Sequence, residues 1–225
     1  SQELSELLAL DFLDIEFAIT DNGLYILQVR AIVTNNKFDL STIDLENSLS
    51  KLYKKIVKLN APHPNLLGDT TIFGVMPDWN PAEIIGVRPK RLSLSLYKEL
   101  ITDETWAYQR DNYGYRNLRS HPLLVSFLGV PFIDTRVSFN SFIPKTLDEK
   151  IAKKLASHYL NELSKNINYH DKVEFEIIHS CFYFGIQKQL LKLKSSGFDD
   201  EELYKIKNSL LSLTNKLIDP IDGLY

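Results

Sequence analysis

Four side chains near the start of the chain carry donor types that suit a phosphate-bound cation: Asp14, Glu16, Gln28 and Arg30. A carboxylate and an amide oxygen are hard donors, matched to Mg²⁺, which takes oxygen ligands and substrate phosphates. A guanidinium beside them grips phosphate oxygens in a bidentate manner. On a hairpin, Glu16 and Gln28 can approach each other with Arg30 alongside, forming one wall of a metal–nucleotide site. Such a wall is the kind of electrostatic clamp on which phosphoryl transfer depends. On spacing alone the plainer reading is favoured, in which these alternating polar residues are the solvated face of a hairpin.

The elements that must position them read as strands. Phe12–Ile19 and Leu24–Val33 alternate apolar and polar residues and flank Thr20-Asp21-Asn22-Gly23. Asn-Gly between alternating runs signals a hairpin, because both residues tolerate positive φ. Period-two alternation then places Asp14 and Glu16 on one face of the first strand, and Gln28 and Arg30 on one face of the second. A hairpin alone is marginal in water, so a larger sheet is expected, its other strands lying upstream of this chain.

The rest of the chain reads mainly as helices. Glu3–Leu10 has helical spacing, and Ser41–Leu59 forms an amphipathic helix with Ser41 and Asp44 at its start. Its apolar stripe is Leu49, Leu52, Tyr53, Ile56 and Leu59. Residues 60–92, rich in Pro and Gly, are expected to be mostly loop. A helical run around Ser95–Arg110, a Tyr-Gly-Tyr turn at Gly114 and a strand at Pro131–Phe139 follow. Thr146-x-x-Glu149 is a capping box ahead of Ile151, Leu155, Tyr159 and Leu163. Asp171–Leu193 and Asp199–Leu217 complete the helices, with Gly197 as a left-handed stop between them.

The string Leu13-Asp-Ile-Glu-Phe-Ala-Ile, then Gly23-Leu-Tyr-Ile-Leu-Gln-Val-Arg-Ala-Ile32, resembles the closing hairpin of the ATP-grasp domain in phosphoenolpyruvate synthase and pyruvate phosphate dikinase. That pattern is an acidic D-I-E-[WF] strand, a turn, then L-Y-[IL]-L-Q-[ASTV]-R. The resemblance implies that Glu16 and Gln28 are Mg²⁺–ATP ligands and that Arg30 contacts the nucleotide phosphates. Asp14 falls on an acidic position of the family. The family usually continues with proline where this chain has Ala31, a change at strand exit rather than in the chemistry.

A second stretch, Pro77-Asp-Trp-Asn-Pro-Ala-Glu-Ile-Ile-Gly86 with Arg91-Leu-Ser-Leu-Ser-Leu-Tyr97, resembles the region after the ATP-grasp domain in related synthases and in rifampicin phosphotransferases. Pro131-Phe-Ile-Asp-Thr-Arg136 and Asn140 are similar to their later strand-like motif. In the antibiotic-modifying branch that helical middle segment binds the acceptor, which makes Asp78 and Trp79 candidate acceptor contacts. Asn80, Pro81 and Glu83 fit a helix cap better than a ligand site. Arg110, Tyr113, Tyr115 and Arg116 form an aromatic-basic patch suited to a phosphorylated or carboxylated acceptor, and it reads at least as well as cover for the edge of the core. Asp134 and Arg136 either pair with each other along a strand or converge with Arg116 on an acceptor pocket.

What is missing bounds the expected activity. The family needs an upstream nucleotide-binding portion and a downstream swivelling domain with a phosphorylated histidine. His63, His121, His158, His170 and His179 do not stand in that domain's Thr-x-His setting; His158 and His179 are expected on helices as ordinary core or surface residues. No Gly-rich phosphate loop occurs. Net charge is -3, with lysines and carboxylates interleaved through the C-terminal third, which leaves no basic face for nucleic acid. No stretch reaches the length of a membrane span. Cys181 is the single cysteine and is expected to be a buried small hydrophobe in a reducing cytoplasm.

The expected architecture is therefore α+β and predominantly helical. Residues 1–33 would be the hairpin remnant of an ATP-grasp domain, and residues 34–225 a mostly helical middle domain that binds the acceptor or serves as a linker. The chain would be a severed piece of an ATP-dependent phosphotransferase, using ATP and Mg²⁺ and passing phosphate through a histidine to a small acceptor such as pyruvate. By itself the piece would be inactive. The alternative is a non-catalytic binding or scaffold module.

Overall fold

Helices and two small antiparallel sheets make up the structure, a computed structural model that describes residues 2–10, 12–32 and 45–218 (the Phe175 side chain excepted). The fold is α+β and predominantly helical. The chain divides into two compact units, Ser1–Asn47 and Ser48–Tyr225.

The first unit holds α1 (Gln2–Leu8), β1 (Leu13–Thr20) and β2 (Gly23–Ala31). β1 and β2 pair antiparallel, and the register opposes Asp14 to Arg30 and Glu16 to Gln28. It then shifts, so that Phe17 faces Ile26 and Leu27 is the extra residue of a bulge. Asp21 and Asn22 form the turn itself, and of the Asn-Gly pair only Gly23 uses positive φ, at 132°. The expected helix start at Ser41 and Asp44 lies outside the described residues.

α2 (Leu45–Asn60) carries the expected amphipathic pattern only in part: Leu52, Ile56 and Leu59 are half-buried, whereas Leu49 and Tyr53 are exposed. The loop after it contains the short strand β3 (Phe73–Gly74) and α3 (Pro81–Ile84). α4 (Arg91–Tyr97) runs into a π-helical turn over Lys98–Thr102, and α5 (Thr105–Tyr113) ends on Gly114 at φ 103°. β4 (Leu124–Phe127) and β5 (Val130–Asp134) form a tight hairpin whose two loop residues, Leu128 and Gly129, both have positive φ. β5 is the central strand, with β3 and β4 on either side.

The expected strand Pro131–Phe139 stops at Asp134, and α6 (Thr135–Asn140) follows directly. Asp134 caps that helix, its carboxylate accepting from the Val137 amide. All six residues of α6 are buried, so the in-out alternation of a strand could not be satisfied there. α6 also joins two cores. Val137 packs with Tyr97, Trp106, Leu123 and Ile133. Phe139 packs with the buried faces of α7 (Glu149–Lys165) and α10 (Asp200–Ile218).

The stripe expected on α7 is buried at Ile151, Leu155, Tyr159 and Leu163, and the periodic leucine and isoleucine positions of α10 are buried at Leu203, Ile206, Leu210 and Leu213 but only half-buried at Leu217. The cap of α7 differs. Asp148, not Thr146, accepts from the amides of Lys150 and Ile151. Gly197 stops the preceding segment at φ 85°.

The expected helix Asp171–Leu193 is instead broken into α8 (Val173–Glu176), α9 (Ile186–Leu190) and a 3₁₀ turn over Leu191–Ser196. The interruption has a physical cause. Backbone groups of residues 179–182 bond to side chains from elsewhere: the His179 amide to Tyr159 Oη, the Ser180 carbonyl to Tyr115 Oη, and the Phe182 amide to Thr214 Oγ1. These bonds replace helical ones. His179 therefore lies in a loop and Cys181 is exposed, both contrary to expectation.

Candidate functional site

On the hairpin, cross-strand register brings the four expected residues onto one face. Arg30 Nη2 donates to Glu16 Oε1 at 2.6 Å, and its Nε lies 3.8 Å from Asp14 Oδ2. Gln28 stands directly opposite Glu16, which puts the Cβ atoms of such a pair about 5 Å apart. The two carboxylates and the guanidinium are each more than half exposed, so all three can reach a ligand without desolvating a buried charge. Two carboxylates and one amide oxygen beside a guanidinium constitute an oxygen donor set that fits Mg²⁺ carrying phosphate ligands of its own. The bulge at Leu27 sits next to this face, a position in which bulges re-aim side chains.

In the second unit the residues expected at an acceptor site have separate fates. Asp134 and Arg136 are neighbours in the polar hub of α6. Thr71 Oγ1 donates to Asp134 at 2.5 Å, and Arg136 donates to the carbonyls of Leu59 and Ala61 at 2.8 and 2.9 Å. Burial pushes the Asp134 carboxyl above the usual range, against the opposing bonds from Thr71 and Val137. Arg116 shares no partner with either residue; it pairs with Glu149 at 2.7 Å. Asn140 completes the hub by accepting from the Leu67 amide and donating to the carbonyls of Leu67 and Arg136. The hub thus fastens the end of α2 and the loop after it to α6.

Asp78 and Trp79 belong to a strained turn. Asp78, Trp79 and Asn80 all have positive φ, at 47°, 49° and 20°, a conformation costing a non-glycine residue about 1 kcal/mol or more. The surroundings hold it in place. Ser138 Oγ donates to Asp78 at 2.8 Å, Arg110 Nη2 donates at 3.1 Å, and Tyr97 Oη donates to the Trp79 carbonyl. Burial raises the Asp78 carboxyl, while Arg110 and then Ser138 oppose the rise. The Arg110 guanidinium also stacks 3.8 Å from the centroid of Phe142. Asn80 occupies the cap position of α3 with Pro81 at the first turn, but its amide reaches Glu83 rather than a backbone amide.

Trp79 forms part of the wall of a cavity of about 420 Å³, together with Trp106, Tyr108, Gln109, Asn112 and Tyr113. Trp106 is 1% exposed. The indole Nε1 atoms of both Trp79 and Trp106 are shut off from solvent and have no hydrogen-bond partner. Gln109 Nε2 donates to Tyr113 Oη at 3.2 Å. Sequence reasoning reached Trp79, and Tyr113 within its aromatic-basic patch, but missed Trp106, Tyr108, Gln109 and Asn112. The signal was there: Trp106, Gln109 and Tyr113 recur at the spacing of one helix face, and Tyr108 and Asn112 lie beside them.

His179, half-buried against the ring of Tyr159, is pushed down to about 4 by burial and by nearby His158 and Lys192, so it is neutral at physiological pH. Among the described residues there is no cluster of three or more His, Cys, Asp or Glu side chains able to hold a metal, and no helix long and apolar enough to cross a membrane. Comparison with known proteins finds no matching family, no matching curated protein and no matching solved structure.

Proposed function

We propose that this chain is a segment of an ATP-dependent phosphotransferase of the phosphoenolpyruvate synthase type, in which the β1–β2 face forms one wall of the nucleotide site. The observation that carries the reading is the pairing of Glu16 with Gln28, with Arg30 alongside, on a solvent-facing surface. Glu16 and Gln28 would hold Mg²⁺ by their side-chain oxygens, with Asp14 as a second carboxylate. Arg30 would release Glu16 and steady the phosphates, positioning them in line for transfer. When bound, the metal would neutralise charge on the phosphate oxygens.

In this reading further ATP-grasp elements and a phosphohistidine domain belong to the same working enzyme. Phosphate passes through that histidine to a small acceptor, with pyruvate as the family-level candidate. The cytoplasm, with its ATP and Mg²⁺, is the compartment that fits.

The test is phosphohistidine labelling of the complete encoded polypeptide with γ- and β-labelled ATP and Mg²⁺. Acid-labile label is expected in the wild type, with at least a hundredfold less in Glu16→Ala and Arg30→Ala, the size of loss seen when one transition-state donor is removed. No label from a folded protein would instead favour a second reading, a non-catalytic binding module. The aromatic cavity in the second unit is the feature that speaks for it.

A further inference from the structure

Two imidazoles in the second unit share a cleft and leave their ring nitrogens unused. His158 stands on α7 and His179 in the loop after α8, and both line a space of about 250 Å³. Neither nitrogen of either ring has a hydrogen-bond partner among the described residues, and none is shut off from solvent. Both rings are half-buried, so part of their hydration is already lost without a bond to replace it. A ligand that supplies the missing bonds gains at such groups, because little further desolvation opposes it.

The charges around the cleft narrow the ligand. His158, Glu162 and Lys165 share one face of α7 by their spacing, and Lys165 Nζ pairs with Glu162 Oε1 at 3.0 Å. Glu176 at the end of α8 and Lys192 on the 3₁₀ turn also line the space. Neither has an ion-pair partner among the described residues, and both are exposed. Each can therefore meet a ligand charge without first breaking a bond. The imidazoles add no charge at neutral pH: burial lowers both, and His158 and then Lys192 add to the effect at His179. An anion alone would meet the Glu176 carboxylate, and a cation alone the Lys192 ammonium. Ile177, Ile178 and Leu193, all buried, form the apolar part of the lining.

We infer that this cleft is a binding site for a small zwitterion, an amino-acid-like molecule with an ammonium and a carboxylate on a short aliphatic stem. Lys192 receives the carboxylate and Glu176 the ammonium, in charge-assisted bonds to which the two imidazoles add. The space is smaller than a drug-sized pocket and admits only a short molecule. The site belongs to the second unit alone and uses no residue of the hairpin, so either reading can fail without the other. It differs from the Asp134–Arg136 hub, whose polar groups are committed to holding the chain.

The imidazole Cε1–H resonances of the 225-residue chain report on the cleft and are followed by NMR at neutral pH. The probes are two zwitterions of equal carbon count, norvaline and 5-aminopentanoate, and two singly charged counterparts, pentanoate and pentylammonium. At least one zwitterion is expected to move the His158 and His179 resonances, assigned from His158→Gln and His179→Gln. Those of His63, His121 and His170 are expected to stay in place. The same zwitterion is expected to bind about tenfold more tightly than either singly charged probe, the effect of one charge-assisted hydrogen bond. Lys192→Gln is expected to remove its advantage over pentylammonium, and Glu176→Gln its advantage over pentanoate. Both of those side chains are exposed, so neither change disturbs the core. Unmoved His158 and His179 resonances with both zwitterions, or a singly charged probe that binds as tightly, would overturn the inference. The affinity comparison on the wild type, read by calorimetry, decides alone if a histidine variant fails to fold.

Discussion

Asp78 and Arg110 are 32 positions apart in the chain, yet among the described residues they form the ion pair best protected from water: the carboxylate side chain is 4% exposed and the guanidinium 16%. Desolvation of such a pair is offset only while both partners and their additional hydrogen bonds are present. Removing Arg110 would leave a buried carboxylate with Ser138 as its remaining side-chain donor. Arg110→Met should therefore lose about 3 to 5 kcal/mol at neutral pH, read from the urea midpoint. The pH dependence follows from the direction of the Asp78 shift. Its folded pKa already lies above the usual 3.8, and loss of the cation raises it further. A group whose folded pKa is raised binds its proton more readily in the folded state, so the variant should regain stability relative to wild type as pH falls from neutral towards 4. Asp78→Asn in the same background should recover part of the loss at neutral pH. A variant as stable as wild type at neutral pH, or one whose deficit grows on acidification, would show that this pair does not hold the turn bearing Trp79.

The elements divide according to how local their causes are. α7 and α10 were legible because an apolar stripe runs along each, and Gly197 because a left-handed helix stop favours glycine, whereas Gly114, read only as part of a turn, proves to stop α5 in the same way. The hairpin face was legible for the same reason: period two and a short turn fix which residues share it. α6 and the segment from Asp171 to Leu193 were not. Their conformations are set by partners distant in sequence: Tyr115, Tyr159 and Thr214 break the latter, and groups within residues 59–78 bond to side chains of the former. The Trp106 wall shows the intermediate case, a helix face visible by its spacing whose cavity depends on a turn 26 positions upstream. The α7 cap is a local matter that the sequence leaves ambiguous between Thr146 and Asp148. With Asp148 accepting two amides, Asp148→Ala should cost about 1 kcal/mol. Thr146→Ala should change stability by less than about 0.5 kcal/mol. Thermal melts of the two single variants check this, and equal losses would return the capping role to Thr146.

Across the whole molecule, apolar burial is distributed unevenly. The buried hydrophobic residues run from Leu67 onward, and none belongs to α1, β1 or β2. The hairpin instead exposes Phe17, Ile19, Leu24, Tyr25 and Leu27, and a two-stranded sheet of this size gains too little from its own pairing to be stable alone in water. Stability should therefore reside in the second unit. A chain beginning at Leu45, which keeps all of α2, should melt cooperatively within about 3 °C of the full chain, since a change of 1 kcal/mol moves a domain of this size by that much. Tryptophan fluorescence is the apt probe because Trp79 and Trp106 both lie in the retained part. The shortened chain should also aggregate less, having lost an exposed apolar strand pair with open edges. If it lost its cooperative transition, the hairpin would have to supply stabilisation that its exposure does not account for. Retention of the transition would show that the second unit folds without the hairpin, as the distribution of buried apolar residues requires.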